Sequence, residues 1–505
     1  MRPWRFRAAL GLGVGAALAL LYRATRATSM AHAPRALPDF LAWAKAGALA
    51  HLHGAARAPR LVLVMGNEAG DLDSAACAIA VAYLLTHDAA FAASHGFRTD
   101  AIYAPLLQTP RAGLRQRREN LMTYEALGLA LDALLCVDDL GVARDAPLRD
   151  VSLGIVDHAS LVPAWGAART VDLVVDHHED DGAHRDARLR IVRAPSTDPV
   201  GSCASIVAQL YAAAQRASGA PLERAVADLL LSALLLDTKN VRRRLTQVRM
   251  APSGKATATD AEAYAFLVPR SSFAQGTPRA FLDAAQRFGG EGDAEADEVG
   301  VSPAQAHTRA WADALGSVKA DVAHLRTPEL LARDLKIAAV PVRGAELLLG
   351  LASVPVSVSA WVSGAYRRGA PPADTTGAAA DAEWHAWWAD VRRFVDARRL
   401  DALVILAAYR TGEKRKKRRD LVLVYAADAP AFADVVARLE AHDAPSLVLG
   451  AYAGERRIDG AVERARGVGA DGALGGVRAA LFAQGNTKAN RKVVQPVLVD
   501  VLQRS

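Results

Sequence analysis

The chain reads Val174-Val175-Asp176-His177-His178-Glu179-Asp180 at the point that decides its fold. β-Branched residues favour a strand, and this strand ends in an acid and two imidazoles. Carboxylate and imidazole groups held by a rigid element are the donors that a hard or borderline metal ion prefers. Neighbouring residues of a strand point to opposite faces, so this stretch indicates a metal site only if other acid-bearing strand ends share it.

A second strand end of this kind lies upstream. Residues 61–65 form a continuous apolar run, which is typical of a strand buried on both faces of a parallel sheet. The run leads into GNEAGDLDS at 66–74, where Asp71 and Asp73 precede an apolar helix predicted over 75–85. An acid at a helix start often serves as an N-cap. A cap needs one such residue and this loop has two, so we expect a further role for the pair.

The same pattern recurs through the first half of the chain. The strand predicted at 151–156 ends in Asp157-His158, and the helix predicted at 222–236 leads to Asp237. Alternating strands and helices predict an α/β fold with a doubly wound parallel sheet. Such sheets bind ligands at the carboxyl ends of their strands. The other predicted strands are 102–107, 134–137 and 171–175, and the other predicted helices are 37–53, 121–129 and 203–217.

The acids and the imidazole at the ends of these buried elements predict a shared metal site. Two ions that share a bridging carboxylate can hold both the attacking and the leaving oxygen of a phosphoryl transfer. One such acid could be a coincidence, but a set drawn from separate elements is hard to explain in that way. The predicted ligands are Asp71, Asp73, Asp157, His177 and Asp237.

The chain, at 505 residues, is long enough for more than one domain. The composition changes after residue 250, and predicted strands return at 337–342, 347–354, 403–406 and 421–425. These changes predict a metal-binding domain followed by a smaller second α/β domain. The predicted boundaries are a leader or unstructured segment at 1–36, the metal-binding domain at 37–250, a linker and helical connection at 251–325, and the second domain at 326–505.

A run of basic residues separates the last two predicted strands. Residues 410–419 contain Lys414-Arg415-Lys416-Lys417-Arg418-Arg419, in a chain whose formal net charge is +7. A hairpin tip of like charges is either solvated and mobile or in contact with a long polyanion. The net charge allows the same two interpretations, a solvated basic surface or a field that attracts polyanions.

The N-terminal segment leaves the location open. Residues 1–36 are rich in Arg and lack acids, and the apolar run 8–22 would span roughly 22 Å as a helix, less than the ~30 Å hydrocarbon core. It fits a signal anchor, a transit peptide, or a leader that a start at Met30 would remove. Cys77, Cys136 and Cys203 are too few for a disulfide framework, which favours a reducing compartment. The expected location is cytoplasmic, with a mitochondrial location or membrane contact through a retained 8–22 anchor as alternatives.

Four strings, taken in order, resemble the motifs of the DHH phosphoesterase superfamily: GNEAGDLDS, the Asp157-His158 strand end, VVDHHED and LLLDTKN at 234–240. The resemblance is strongest to the exopolyphosphatase branch, typified by the fungal cytosolic enzyme. Arg333-Asp334-Leu335-Lys336 and Asn490-Arg491-Lys492 resemble substrate-gripping positions of the DHH-associated domain, which family II pyrophosphatases share. The resemblance implies that the first domain is the catalytic domain and that the second is a substrate-binding lid domain. Asn67 stands where those pyrophosphatases have histidine, and Lys239 stands where the family more often has glycine.

This resemblance implies a site for two divalent cations, manganese or magnesium, held by the ligands named above with Asp157 as the bridge. It implies catalytic roles for Asp157, for His178, which would face the phosphate, and for Asp176, which would hold the histidine pair. The lost imidazole at position 67 is expected to relax a manganese preference towards magnesium. The implied substrate-binding residues are Lys336, Arg491, Lys492, Arg117 and Asn67.

The implied activity is hydrolysis of the terminal phosphoanhydride of inorganic polyphosphate by a monomer, with release of orthophosphate. The single-strand nuclease branch of the family carries a Gly-Gly-Gly-His signature in its C-terminal half. The C-terminal half of this sequence lacks that signature, which counts against a nucleic-acid partner. The alternatives are a short-chain pyrophosphatase or tripolyphosphatase, a prune-like nucleotide phosphodiesterase, and a catalytically weak scaffold. In prune-type relatives the third motif resembles Asp-His-Arg, whereas the corresponding residues of this chain are Asp-His-His.

Overall fold

The computed structural model describes residues 33–54, 60–141, 150–166, 170–239, 241, 256–290, 303–342, 344–369, 378–411, 416–426, 432, 434–442, 446–452 and 477–504. The predicted apolar segment 8–22 and the tip residues 412–415 lie outside these ranges. The chain divides into two compact units, Met1–Val318 and Lys319–Ser505. None of the described helices is long and apolar enough to cross a membrane.

The first unit contains a six-stranded sheet in which every pair of neighbours is parallel. Its strands are β1 Leu61–Met65, β2 Ile102–Leu107, β3 Leu135–Cys136, β4 Val151–Val156, β5 Val171–Asp176 and β6 Leu189–Val192. They are arranged in the order β3-β2-β1-β4-β5-β6. The predicted α/β fold with a parallel sheet is confirmed.

Helices follow the strands as the sequence pattern predicts. The α-helices that begin in the first unit are α1 Leu37–Leu52, α2 Leu72–His87, α3 Ala89–Ser94, α4 Arg118–Ala126, α5 Cys203–Ser218, α6 Arg224–Asp237, α7 Ala258–Leu267, α8 Arg279–Phe288 and α9 Pro303–Ala320. Short 3-10 helices occupy Arg111–Gln116, Leu131–Ala133, Val137–Leu140, Pro163–Trp165, Val268–Arg270 and Ser272–Gln275.

Burial explains which strands the sequence revealed. All residues of β1 and β2 are buried, so their apolar runs are unbroken, as expected for strands covered on both faces. The sequence analysis predicted no strand at β6. Only Leu189 of that strand is buried, and Arg190 reaches out to Asp180, which interrupts the apolar signal.

The order of the strands reverses between β1 and β4. β2 and β3 lie on one side of this point and β5 and β6 on the other. In open α/β sheets, ligands bind outside the carboxyl ends of the strands at such a switch point. The loop after β1 and the residue after β4, which carry the predicted acids, both lie there.

The turn that leaves β1 is tightly packed. A Cβ atom at Gly66 would lie 2.6 Å from Cβ of Ser74 and 2.7 Å from its carbonyl oxygen. Gln108 Nε2 donates to the carbonyl of Gly66 at 2.6 Å, and Trp165 Nε1 donates to Gln108 Oε1 at 2.9 Å. These contacts fix the start of the acid-bearing loop against α2.

The second unit is built on a mixed six-stranded sheet. Its strands are β7 Leu335–Val342, β8 Ala345–Val354, β9 Ala402–Thr411, β10 Lys416–Ala426, β11 Leu449–Ala451 and β12 Val477–Gln484, in the order β11-β12-β10-β9-β8-β7. β8 and β9 are parallel, whereas the other neighbouring pairs are antiparallel. The strands predicted in this half of the chain are confirmed.

Helices cover both faces of this second sheet. They are α10 Thr327–Arg333, α11 Val358–Val362, α12 Ala365–Arg368, α13 Ala378–Arg398, α14 Val435–Glu440 and α15 Arg491–Gln503. On one face Val422 and Val424 of β10 share a core with Trp387 of α13. On the other face Leu421 and Leu423 share a core with residues of α14 and α15.

We expect Gly66→Ala to lower the free energy of unfolding by about 1–3 kcal/mol, because its methyl group would overlap the backbone of α2. Gly316→Ala is the matched control, because its added Cβ would have no neighbour within 4 Å. That substitution, inside α9, should gain roughly 0.5–1 kcal/mol from helix propensity. Urea denaturation of both variants measures the difference, and unchanged stability of Gly66→Ala would contradict the close packing.

Candidate metal centre

The loop after β1 supplies two carboxylates with different surroundings. Asp71 is the N-cap of α2 and accepts a hydrogen bond from the Ser74 backbone N–H at 3.0 Å. Asp73 lies in the first turn of α2 and is 2% exposed. Asp71 therefore has the capping role that the sequence offered as one interpretation, while Asp73 is a buried acid beside the switch point.

Asp73 lies against the N-terminus of α5. Its carboxylate accepts hydrogen bonds from Ser202 Oγ at 2.8 Å, from the Cys203 N–H at 2.7 Å and from the Ala204 N–H at 2.9 Å. The positive end of the helix dipole favours an anion at this position. Burial nevertheless raises the pKa of Asp73 well above its usual value, and the nearby charges of Asp157 and Asp237 raise this pKa further.

Asp157 follows β4 and is 2% exposed. Its Oδ2 accepts hydrogen bonds from Asn67 Nδ2 at 2.7 Å and from Ser74 Oγ at 2.5 Å. Its Oδ1 lies 3.2 Å from His177 Nε2 and 3.8 Å from His178 Nδ1. Its φ of 61° is in the left-handed region that non-glycine residues rarely adopt. A strained backbone of this kind is common at functional sites, and here it accompanies a carboxylate whose two oxygens face different partners.

The two histidines after β5 are held in different ways. His177 Nδ1 lies 3.0 Å from the carbonyl of Val200, so Nδ1 carries the proton and Nε2 is the nitrogen available to a metal. His178 Nδ1 donates to Asp176 Oδ1 at 2.8 Å, and the His177 backbone N–H donates to the same oxygen at 2.8 Å. Asp176 thus bonds both the backbone of His177 and the ring of His178.

The charge state of His177 reflects the surrounding acids. Burial alone would lower its pKa, but the hydrogen bond and charge of Asp157, with the charges of Asp73 and Asp237, raise the pKa of His177 to about 10. Burial also raises the pKa of Asp176, and Asp176 Oδ2 is buried without a hydrogen-bond partner. The site therefore attracts positive charge strongly enough to keep a proton on an imidazole.

The donor atoms fall into two groups that have His177 in common. One group is Asp157, His177 and His178, and the other is Asp73, His177 and Asp237, and within each group the ligand atoms lie within 4.8 Å of one another. Buried carboxylates next to imidazole nitrogen suit a divalent cation, because they need a positive partner to offset their burial. Asp71, also predicted as a ligand, is outside both groups.

The predicted substrate-binding residues are divided between the two units of the chain. Asn67 is buried with its amide on Asp157. Arg117 is buried and donates through Nε and Nη2 to the carbonyl of Ala69 at 3.0 and 2.8 Å, so it braces the acid-bearing loop. Lys336, Arg491 and Lys492 belong to the second unit, where Arg491 Nη1 donates to Asp334 Oδ1 at 3.0 Å.

Sequence reasoning missed the hydroxyls that orient the carboxylates. Asp71 caps α2, and the Ser74 hydroxyl donates to Asp157, a contact that the sequence analysis did not predict. It assigned nothing to Ser202, whose hydroxyl donates to Asp73. A serine before an apolar helix is an N-cap signal that could have drawn attention to Ser202. The signal does not reveal the acid that this helix faces 129 residues away.

Two family comparisons bear on this arrangement. Residues 61–234 match the family described as "DHH family, N-terminal domain", and residues 313–501 match the "DHHA2 domain". The chain carries a DHH domain followed by a DHHA2 domain. The donor groups described above belong to the DHH domain, apart from Asp237, which follows the matched segment by three residues.

Named relatives match through part of their length. Exopolyphosphatase PRUNE1 of Rattus norvegicus is 30% identical over 206 residues, which cover 40% of this chain and 39% of the relative. The Bos taurus protein of the same name is 29% identical over 202 residues, or 39% of each chain. The match thus spans about two fifths of the length of these relatives. A solved Methanococcus jannaschii structure assigned to the family II inorganic pyrophosphatases is 15% identical with a TM-score of 0.46, covering 88% of this chain and 100% of that one.

We expect Mn²⁺ binding to the protein near pH 7.5 to release protons, because the surrounding acids raise the pKa of His177 to about 10, burial raises the pKa of Asp73, and a bound ion competes with these protons. Affinity should rise with pH for the same reason. Titration calorimetry in buffers of different ionisation enthalpy measures the release. His177→Gln should release fewer protons than the wild type, and proton-neutral binding by the wild type would contradict this interpretation of the site.

Proposed function

We propose that this chain is a metal-dependent exopolyphosphatase that removes orthophosphate from the end of inorganic polyphosphate. The observation that carries the proposal is the pair of largely buried donor groups that have His177 in common at the switch point of the DHH domain. The names of the two relatives support the substrate class. The buried free thiols Cys77, Cys136 and Cys203 support the cytoplasm, a reducing compartment, as its location.

Two divalent cations, manganese or magnesium, would be held by Asp73, Asp157, His177 and Asp237 of the two donor groups, with Asp157 as the predicted bridge and Asp71 as a further predicted ligand. When bound, such ions lower the pKa of water and offset charge on phosphate oxygens. The donor set mixes imidazole with carboxylate, which both metals accept in proteins.

The residues around the ligands would set their orientation. Asn67 and Ser74 both bond Oδ2 of Asp157, which leaves Oδ1 directed at the histidines. Val200 fixes the tautomer of His177. Asp176 accepts a hydrogen bond from Nδ1 of His178, which orients this imidazole, a quarter exposed, so that it would face the phosphate. Polar groups aimed at the phosphate stabilise charge that develops in the transition state.

The DHHA2 domain would contribute the phosphate grip. Lys336, Arg491 and Lys492 supply positive charge there, and Asp334 holds the Arg491 guanidinium through its side chain and its backbone carbonyl, both at 3.0 Å. A guanidinium fixed in this way can form bidentate contacts with phosphate. In the DHH domain Arg117 would act through the loop carbonyl that it holds, as a positioning residue.

We expect Asp157→Asn to lower kcat for polyphosphate about a thousandfold or more, because the amide cannot bridge cations and no other group replaces it. Asp180→Asn is the matched control, because this exposed acid of the VVDHHED stretch pairs with Arg190 outside both donor groups. That variant should stay within about twofold of the wild type. Circular dichroism checks that both remain folded, and turnover retained by a folded Asp157→Asn would exclude the metal mechanism.

A series of substrates separates the exopolyphosphatase from its nearest rivals. We expect orthophosphate release with Mn²⁺ or Mg²⁺ to be fastest on long-chain polyphosphate and slower on tripolyphosphate and pyrophosphate. Highest activity on pyrophosphate would identify a short-chain phosphatase instead. Preferred turnover of a cyclic nucleotide would identify a phosphodiesterase, and absence of any release would leave a scaffold that retains the fold.

A further inference from the structure

The β9–β10 hairpin extends beyond the rest of the second sheet. The pairing of β9 with β8 ends at Ala407, and the pairing of β10 with β12 ends at Asp420. Beyond these points, residues 408–411 and 416–419 form two arms that are paired with each other. The arms hold the described part of the basic run that the sequence analysis left with two interpretations.

Strand alternation divides the cations of the arms between two faces. Arg410 lies opposite Lys417, and Ala408 lies opposite Arg419, so these cations share a face with Leu421 and the core beneath α15. Lys416 and Arg418 lie on the other face, in line with Val422 and its core beneath α13. We name Arg410, Lys417 and Arg419 the cationic ladder.

The ladder concentrates positive charge at some cost. Arg410 and Lys417 are exposed and directly opposite each other, and like charges in this position destabilise a strand pair by roughly 0.2–1 kcal/mol. Asp420 follows Arg419 in β10 and is buried on the other face of the sheet. It accepts hydrogen bonds from Tyr409 Oη at 2.8 Å and from the Val358 N–H at 3.1 Å.

The ladder is continuous with the predicted phosphate grip of the same domain. Arg419 Nε donates to the carbonyl of Thr487 at 2.9 Å, in the loop that leads to Asn490, the N-cap of α15, and to Arg491. Arg491 is held by Asp334. The Ser353 N–H donates to the carbonyl of Asp334, Ser353 of β8 lies opposite Leu406 of β9, and Leu406 lies opposite Leu421 of β10. Asp334 and Leu421 are therefore at the same height along the strands of the sheet.

Spacing along the strand gives the reach of this surface. Arg419 is two residues from Leu421 and Lys417 is four, which correspond to roughly 7 and 13 Å along β10. Lys336 lies on β7, three strands from β10 in the sheet order, and the segment from Thr487 to Arg491 connects the two sides through Arg419 and Asp334. The cations therefore extend across the sheet from Lys336 and Arg491 to β10, and then along β10 towards the tip of the hairpin.

We propose that the cationic ladder binds the distal phosphates of a long polyphosphate chain whose terminal phosphates occupy the grip of Lys336, Arg491 and Lys492. This inference rests on the proposed function. It predicts that the ladder governs affinity for long chains and has little influence on short ones, which end before they reach it.

The chemistry of the face favours polyphosphate over a single-stranded nucleic acid. Surfaces that hold single strands combine cations with aromatic side chains on which bases stack. In the described arms the one aromatic residue, Tyr409, is on the opposite face with its hydroxyl on Asp420. A face that presents cations, with no aromatic residue among those described in the arms, suits a chain that carries a negative charge on every unit and has no bases.

The test compares two double variants of the full-length protein that remove the same charge from opposite faces. Arg410→Gln/Lys417→Gln removes the exposed part of the ladder and spares Arg419, which braces the α15 loop. Lys416→Gln/Arg418→Gln is the matched control on the other face. We expect the ladder variant to raise KM for long-chain polyphosphate about five- to tenfold, with tripolyphosphate kinetics within about twofold for both variants.

Salt dependence gives an independent readout. Each lost contact with a flexible polyanion should lower the slope of log affinity against log salt by about 0.7. The ladder variant should therefore lose about 1.4 from the slope for long-chain polyphosphate, while the control keeps the wild-type slope. Equal losses in both variants would show a general charge effect and overturn the proposal.

Binding without turnover separates this inference from the proposed function. Anisotropy of labelled long-chain polyphosphate is measured with chelator present, so that hydrolysis plays no part. Weaker binding by the ladder variant alone supports the ladder even if the wild type releases no phosphate. Unchanged binding overturns the ladder even if hydrolysis is observed, and an equal or larger loss with single-stranded DNA would assign the face to nucleic acid.

Discussion

The structure depends on the repulsion among carboxylates that are buried together at one edge of the first sheet. Asp73 and Asp157 are each 2% exposed, and each is surrounded by groups that favour its negative charge. The N-terminus of α5 serves Asp73, and Asn67 and Ser74 serve Asp157. These neutral donors offset burial only in part, since the pKa of Asp73 remains raised and His177 attracts a proton. Cations are the partners that complete such a site.

The topology of the sheet makes this concentration of charge possible. The order reverses between β1 and β4, so the loop after β1 and the residue after β4 open next to each other without a connection crossing between them. β5 lies beside β4 and adds the histidines. α6 ends in Asp237, which approaches from outside the sheet. Charged groups that are brought together in this way need rigid support, and parallel strands buried on both faces supply it.

The sequence predicted the elements well because burial leaves a local record. β1 and β2 are fully buried and β4 and β5 are largely buried, with mostly apolar residues, and the acids that follow β1, β4 and β5 indicated the candidate ligands. β6 left no such record, because Arg190 alternates with its apolar neighbours. The helix after β1 begins at Leu72, earlier than predicted, because Asp71 caps it. Lys239 has a φ of 53°, in the left-handed region that favours glycine, and its side chain gave no sign of this conformation in the sequence.

Long-range contacts were beyond the reach of local patterns. The partnership of Ser202 with Asp73 and that of Val200 with His177 join segments far apart in the chain, and neither follows from spacing or propensity. The most direct test of the central claim is a crystal structure of the Mn²⁺-loaded protein with anomalous diffraction at the manganese edge. The account predicts two peaks roughly 3.5–4 Å apart, both contacting His177 or Asp157. A single peak elsewhere, or none at saturating Mn²⁺, would contradict it.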